Sequence, residues 1–262
     1  MNKRIIIPAI SILVLIVLIF AIRNFKEGKT PIVKGPGALI AIVIDDWGYN
    51  TKNLETILEI DVPLTISILP RLYFSKDVLE QVKKRGDFHD ILLHLPLESK
   101  SGNAAEKNTI KTDMEKEDIV KILTQDIDSL PGLSGISNHQ GSKATEDVRL
   151  MAIIFDELKK RDLFFLDSIT SPRSVCTDLA RKVGIKSIER DVFLDITDQT
   201  DKENFEVYVK GQMRELISIA LKKGRAVGIG HNIDVTFKVI EDAIPELEKK
   251  GIRVVPLSEL VR

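Results

Sequence analysis

Carboxylates and imidazoles recur at one kind of position in this chain, at or just after the end of a short apolar run. Asp45 and Asp46 follow the stretch Leu39 to Ile44. His94 stands in DILLHLPLES, His139 follows SGISN, Asp167 follows LFFL, Asp195 follows DVFL and His231 follows VGIG. Imidazole nitrogen and carboxylate oxygen together suit Zn²⁺ or a similar divalent ion. Two adjacent like charges at the end of a buried strand repel each other. A cation would relieve that repulsion, holding one Asp ionised and leaving the other free to act as a base.

Taken singly, each residue has a plainer reading. An Asp after a strand is commonly a turn residue or the cap of the next helix, and that reading is preferred for Asp195 alone and for Asp234. A lone His is commonly a hydrogen-bonded structural group. His89 is such a case: it precedes His94 by an odd number of residues, so in a strand the two point to opposite faces. The coincidence of so many polar residues at run ends favours a metal or acid–base site. No local H-E-x-x-H pattern accompanies them.

The elements that must position these residues alternate. LIAIVI reads as a strand covered on both faces, followed by strands at Leu64 to Leu69 and Asp90 to Leu95. Ile119, Ile122, Leu123, Ile127 and Leu130 form a helical stripe that stops at Pro131-Gly132. SGIS is a short strand, and a helix with Thr145 as its N-cap carries Val148, Met151, Ala152, Phe155 and Leu158. LFFLD, KSIERDVFLD, a helix over Asn204 to Lys222, the strand RAVGIG, a helix capped by Asp234 and the strand IRVVPL complete the chain. This alternation predicts an α/β fold, a (β/α) barrel with about seven parallel strands. The strand ends of such a barrel share one rim, where active sites are built.

The chain has 262 residues, 44% of them hydrophobic, enough for one substantial core. A net charge of −1 gives no basic field, so no nucleic-acid partner is expected. The single Cys176 excludes an internal disulfide and a thiolate cluster. At the N-terminus Lys3 and Arg4 precede the uncharged run Ile5 to Ile22. As a helix that run would be about 27 Å long, near the hydrocarbon thickness of a bilayer. It predicts an uncleaved signal anchor over residues 1–23, ahead of a cleaved signal peptide. A polar Gly- and Pro-containing linker over 24–37 then leads to one domain over 38–262. The domain would lie outside the cytoplasm, in the cell envelope, anchored or secreted.

AIVIDDWG, LHLPLES, SNHQGSKAT, FFLDSITS, RDVFLD, GIGH and the C-terminal IPELEKKGIRVVPLSEL resemble the divergent polysaccharide deacetylases. The likeness runs from about Ala38 to Leu260. It implies a distorted (β/α) barrel and a metal-dependent deacetylase of an envelope carbohydrate, zinc being the expected cofactor. Asp45 would be the base and Asp46 a metal ligand, with His94 and His139 completing the metal site. His231 would be the general acid, Asp167 would orient His231 or a ligand, and Trp47 could stack on a sugar ring or pack on the rim. The ordinary enzymes of this kind carry two His on one H-x-x-x-H turn. This chain has none, so His94 and His139 must come from different strands. The alternative is an envelope protein that keeps the fold and binds a glycan or partner without catalysis. A phosphohydrolase ranks last, because no basic or Gly-rich phosphate loop accompanies the carboxylates.

Overall fold

The computed structural model describes residues 37–102, 106–198 and 201–261. The apolar run Ile5 to Ile22 and nearly all of the linker lie outside the described residues. Among the described residues no helix is long and apolar enough to cross a membrane.

Nine parallel strands among the described residues form one sheet: β1 (Leu39–Trp47), β2 (Thr65–Ile68), β3 (Asp90–Leu97), β4 (Gly135–Gln140), β5 (Phe164–Asp167), β6 (Ser187–Glu189), β7 (Val192–Phe193), β8 (Arg225–His231) and β9 (Arg253–Val254). Their order is β6-β5-β4-β3-β2-β1-β8-β7, with β9 paired to β1. This is the α/β barrel type expected. The stretch KSIERDVFLD, read as one strand, is two, β6 and β7, each too short to give a periodic signal of its own.

The sheet curls because of its connectivity. β6 and β7 stand at opposite ends of the order, yet only Arg190 and Asp191 separate them, a reach of about 10 Å. Arg190 N donates to Asp167 O of β5 at 3.0 Å, and Asp191 N donates to Val227 O of β8 at 2.9 Å. Two consecutive amides therefore stitch the edges of an incompletely closed barrel.

Among the described residues seven helices follow the strands: α1 (Leu54–Glu59), α2 (Ser75–Lys83), α3 (Lys116–Asp128), α4 (Val148–Lys160), α5 (Cys176–Val183), α6 (Lys202–Lys223) and α7 (Asp234–Lys249). The continuous apolar run of β1 now has its reason. Ile40, Ile42 and Ile44 pack in the layer between sheet and helices. Ala41 and Val43 pack inside the curl with Leu92, Leu166, Val227, Ile229 and Leu257. The C-terminal turn closes the lower end, where Leu257 N donates to Thr65 Oγ1 and Ser258 N to Asp90 Oδ2, at 3.1 and 2.7 Å.

Two expected caps differ. Asp147, not Thr145, caps α4, accepting from Leu150 N at 2.9 Å. Thr145 instead sits in a tight 3₁₀ turn and donates its hydroxyl to Gly141 O at 2.9 Å. Ile233 occupies the N-cap of α7 without a side-chain bond. The Asp234 carboxylate is drawn off to Lys52 Nζ and Asn53 Nδ2, both at 3.0 Å.

Trp47 is not a sugar platform. It is fully buried in the helix–sheet layer, edge-on to Phe237 with ring centroids 6.4 Å apart. Asp46 has a left-handed backbone and the β1–β2 register shifts between Ile44 and Trp47. The bulge carries Trp47 to the helix-facing side. Trp47→Ala should therefore destabilise the domain by about 3–5 kcal/mol, measured by urea unfolding followed by circular dichroism. An unchanged urea midpoint would contradict this packing.

Candidate metal centre and acid–base site

The site is built in layers inside the curled sheet. Above the apolar plug, consecutive strands contribute a buried polar layer: Asp45 from β1, Ser67 from β2, His94 from β3 and Ser137 from β4. His139, two residues beyond Ser137 on β4, and His231, at the end of β8, stand at the mouth. Asp46 joins them because its main chain turns left-handed, φ 64°, which Asp tolerates better than most residues. The turn falls on Asp46 itself, and it brings two adjacent carboxylates to one side of the sheet.

The expected ligand set is brought together. Asp46, His94 and His139 present donor atoms that all lie within 4.8 Å of one another. Asp46 Oδ1 is 3.2 Å from His94 Nε2 and 3.0 Å from His139 Nδ1. Donors around a tetrahedral zinc at about 2.0–2.1 Å stand roughly 3.3 Å apart, so the spacing fits a single small cation. Asp46 Oδ1 is buried and makes no hydrogen bond of acceptable direction to either ring. Asp45 Oδ1 and His139 Nε2 are also buried without partners. Native interiors rarely leave such atoms unpaired, and their concentration here fits a polar ligand or ion.

The two carboxylates differ in electrostatics. Burial raises the pKa of Asp45, against the opposing pull of His94 and His231. Burial also opposes ionisation of Asp46, but the His139 and His94 rings outweigh it and hold its carboxyl far below the ordinary range. Environment thus separates an ionised ligand from a more basic neighbour.

His231 has a different partner from the one expected. Its Nδ1 and Asp195 Oδ1 are 2.7 Å apart, and its main-chain N donates to Asp195 Oδ2 at 2.7 Å. Thr236 Oγ1 donates to the same Oδ2 at 2.7 Å. Burial lowers the His231 pKa, but Asp195 overcomes this and holds it up at about 9. Asp195 comes so close because residue 230 is glycine: a Cβ there would stand 3.2 Å from Asp195 Oδ2 and 2.8 Å from the Thr236 methyl. Asp167, the expected orienting group, lies elsewhere. It accepts from Ser174 Oγ at 2.5 Å and Ile169 N at 2.8 Å, shaping the turn after β5. Its place at a strand end resembled that of Asp195. Of β5 and β7, the strands these two residues follow, β7 is the one beside β8, and that adjacency decides which Asp reaches His231.

An open cleft of about 590 Å³ covers the site, a size that small ligands occupy. Phe193 stacks on His231 with centroids 6.3 Å apart. Arg190 lies over Phe193 at 3.7 Å and donates to Ser168 O and Ile169 O at 2.8 and 3.1 Å. Gln140 and Ile169 line the cleft with φ 54° and 47°. For a β-branched residue such as Ile169 that is a strained conformation, of the sort that clusters at functional sites. His89 lies apart from the cleft, bonded through Nδ1 to Leu64 N and through Nε2 to Ile57 O, as a structural histidine. Arg190, Phe193, Ser67 and Ser137 carried no recognisable spacing in the sequence.

Comparison with known proteins bears on the fold and the family. The chain is 31% identical over 233 residues to the Escherichia coli protein YibQ, covering 89% of this chain and 69% of that one. Its fold is similar to the crystal structure of protein ATU2773 from Agrobacterium tumefaciens, with TM-score 0.77, 22% identity and coverage of 88% and 92%. It is also similar to the catalytic domain of peptidoglycan N-acetylglucosamine deacetylase from Eubacterium rectale, with TM-score 0.56, 15% identity and coverage of 85% and 90%. The two structural likenesses speak for the fold alone. The family model for divergent polysaccharide deacetylases matches residues 42–261, and with the fold and site above this chain belongs to that family.

Proposed function

We propose that this protein is a cation-dependent hydrolase that removes an acyl group, acetyl foremost, from an amino or hydroxyl group of an envelope carbohydrate. One observation carries the reading. A compact Asp–His–His ligand set, an unpaired buried carboxylate oxygen and a His–Asp pair meet in one cleft. Family membership supports the carbohydrate, and so does the activity named for the Eubacterium rectale domain. The envelope location rests on Lys3, Arg4 and the apolar run behind them.

Asp46, His94 and His139 would hold the cation, zinc being the first candidate. When bound, it supplies a Lewis acid that polarises the acyl carbonyl and acidifies a water. Asp45 Oδ1 accepts the proton of the attacking water. Burial, which raises its pKa, makes it a stronger base than an exposed carboxylate. His231 donates the second proton from Nε2 to the leaving nitrogen or oxygen as its bond to the acyl carbon breaks. Nδ1 is engaged by Asp195, so Nε2 is the nitrogen on the cleft side, 4.0 Å from Asp46 Oδ2. Both Asp195 oxygens are already bonded, so Asp195 orients His231 and holds its charge without taking its proton. Phe193, Ile169 and Ile196 give the cleft an apolar wall against which a sugar ring or acyl methyl can pack.

The purified protein should hold about one divalent cation per chain and release acetate from N-acetylated envelope oligosaccharides. Asp46→Asn and His139→Ala should lose the cation and the activity together. Asp45→Asn should keep the cation and lose on the order of 10²–10⁴-fold in rate. Glycan binding without acetate release, with zinc or cobalt supplied, would make this a non-catalytic glycan-binding protein.

The acid role has its own pH signature. His231 must be protonated to act, and its pKa of about 9 keeps it so through neutral pH. Asp195→Asn removes the partner that raises this pKa, leaving burial to lower it. The alkaline limb of the pH–rate profile should then move to lower pH, so that the variant loses more at pH 8 than at pH 6. An unmoved alkaline limb would remove His231 as the acid.

A further inference from the structure

Among the described residues Arg190 is the only Lys or Arg that lines the cleft, and its guanidinium is only partly engaged. Nε donates to Ser168 O at 2.8 Å and Nη2 to Ile169 O at 3.1 Å. Those two nitrogens share one edge of the planar group. Nη1 makes no hydrogen bond among the described residues and is not a buried unpaired atom. The edge between Nη1 and Nη2 is therefore left, a pair of parallel N–H donors of the kind that grips a carboxylate or phosphate through two oxygens. We infer that Arg190 is a substrate-binding residue, and that the carbohydrate taken by this cleft carries an anionic group, a carboxylate or a phosphate, on the acylated sugar or on its neighbour.

A guanidinium drawn partly out of water is usually compensated by an opposite charge. Here the protein supplies none in contact. Among the described residues the group meets two neutral carbonyls and the face of Phe193, 3.7 Å away, and forms no ion pair. Asp167 and Asp191, whose charges reach it, are engaged elsewhere. Asp167 accepts from Ser174 Oγ and Ile169 N, and Asp191 accepts from Lys223 Nζ and Val227 N, both at 2.9 Å. Asp45 and Asp46 belong to another part of the mouth. They come from β1, and β8 and β7 lie between β1 and the turn that carries Arg190.

The fork is also held in place before any ligand arrives. Two carbonyls and an aromatic face fix the guanidinium, so binding would cost little further side-chain order. Phe193 stacks in turn on His231, with centroids 6.3 Å apart, so one aromatic ring separates the fork from the proposed acid. An anion at Arg190 and an acyl group at His231 therefore fall on one sugar or on two adjoining ones.

The inference rests on the proposed function for the class of ligand, and binding tests it without turnover. Titration calorimetry of the purified protein with a hyaluronan tetrasaccharide, which carries uronate carboxylates, should give a Kd about 10–100-fold below that for neutral chitotetraose. Methyl esterification of the uronates should remove that gain. N-acetylglucosamine phosphate against N-acetylglucosamine tests the phosphate, and the anion with the larger gain is the group the substrate carries. Arg190→Gln should abolish the preference. Arg190→Lys, which keeps the charge without the fork, should lose most of it and carries the comparison if Arg190→Gln does not fold. A residue that merely braced the turn after β5 would weaken neutral and acidic ligands alike, so an equal loss overturns the inference. So does a wild type that prefers neither anion or binds none of these sugars, and so does a preference that survives in Arg190→Gln. Preferential binding through Arg190 without acetate release, with zinc supplied, would uphold the fork and sink the hydrolase reading. Acetate release from hyaluronan and chitotetraose at equal kcat/KM would do the reverse.

Discussion

At Asp46 the main chain leaves the β region for the left-handed region while β1 is still laddered to its neighbours. Alternation would send Asp45 inward and Asp46 outward to the helices. The turn instead gives both carboxylates to the mouth and returns Trp47 to the core. Two unit charges about 4 Å apart in a protein-like dielectric repel by roughly 4 kcal/mol. The rest of the mouth answers that repulsion. His94, His139 and His231 surround the pair, and burial raises the pKa of Asp45 while the imidazoles keep Asp46 ionised.

The incompletely closed barrel is what allows this gathering. Asp45, His94, His139 and His231 arise from β1, β3, β4 and β8, and Asp195 follows β7. In a flat sheet of this order those strand ends would be spread over several strand spacings of about 4.8 Å each. Curling turns the row into a ring. The amides of Arg190 and Asp191 hold the seam, and the Arg190 guanidinium continues from it into the cleft wall over Phe193. One short connection therefore serves both closure of the sheet and the shape of the site.

The interior changes character sharply over one layer. Val43, Leu92, Leu166 and Ile229 make an apolar plug, and the next inward positions are Asp45, His94 and Ser137. The plug separates the polar layer from the lower face, and the cleft opens above it. Low dielectric strengthens every interaction within the layer. Gly230 contributes by what it lacks, admitting Asp195 close enough to grip His231 through both ring and main chain.

The sequence by itself determined the fold class, the order of the main strands and which end of them carries the chemistry. Those follow from local rules: apolar runs bury, and polar residues placed at their ends share a rim once the strands are parallel. The candidacy of Asp46, His94 and His139 was legible for the same reason, although their roles came from resemblance. Tertiary structure decided the rest. Asp167 and Asp195 occupy equivalent places along the chain, and only the adjacency of β7 to β8 gives His231 to Asp195. Trp47 looked like a rim residue until the bulge at Asp46 inverted its side. Ser67 and Ser137 look like ordinary strand serines, because a polar layer drawn from several strands has no spacing in sequence. Such contacts are set by register and curl, which belong to the whole sheet.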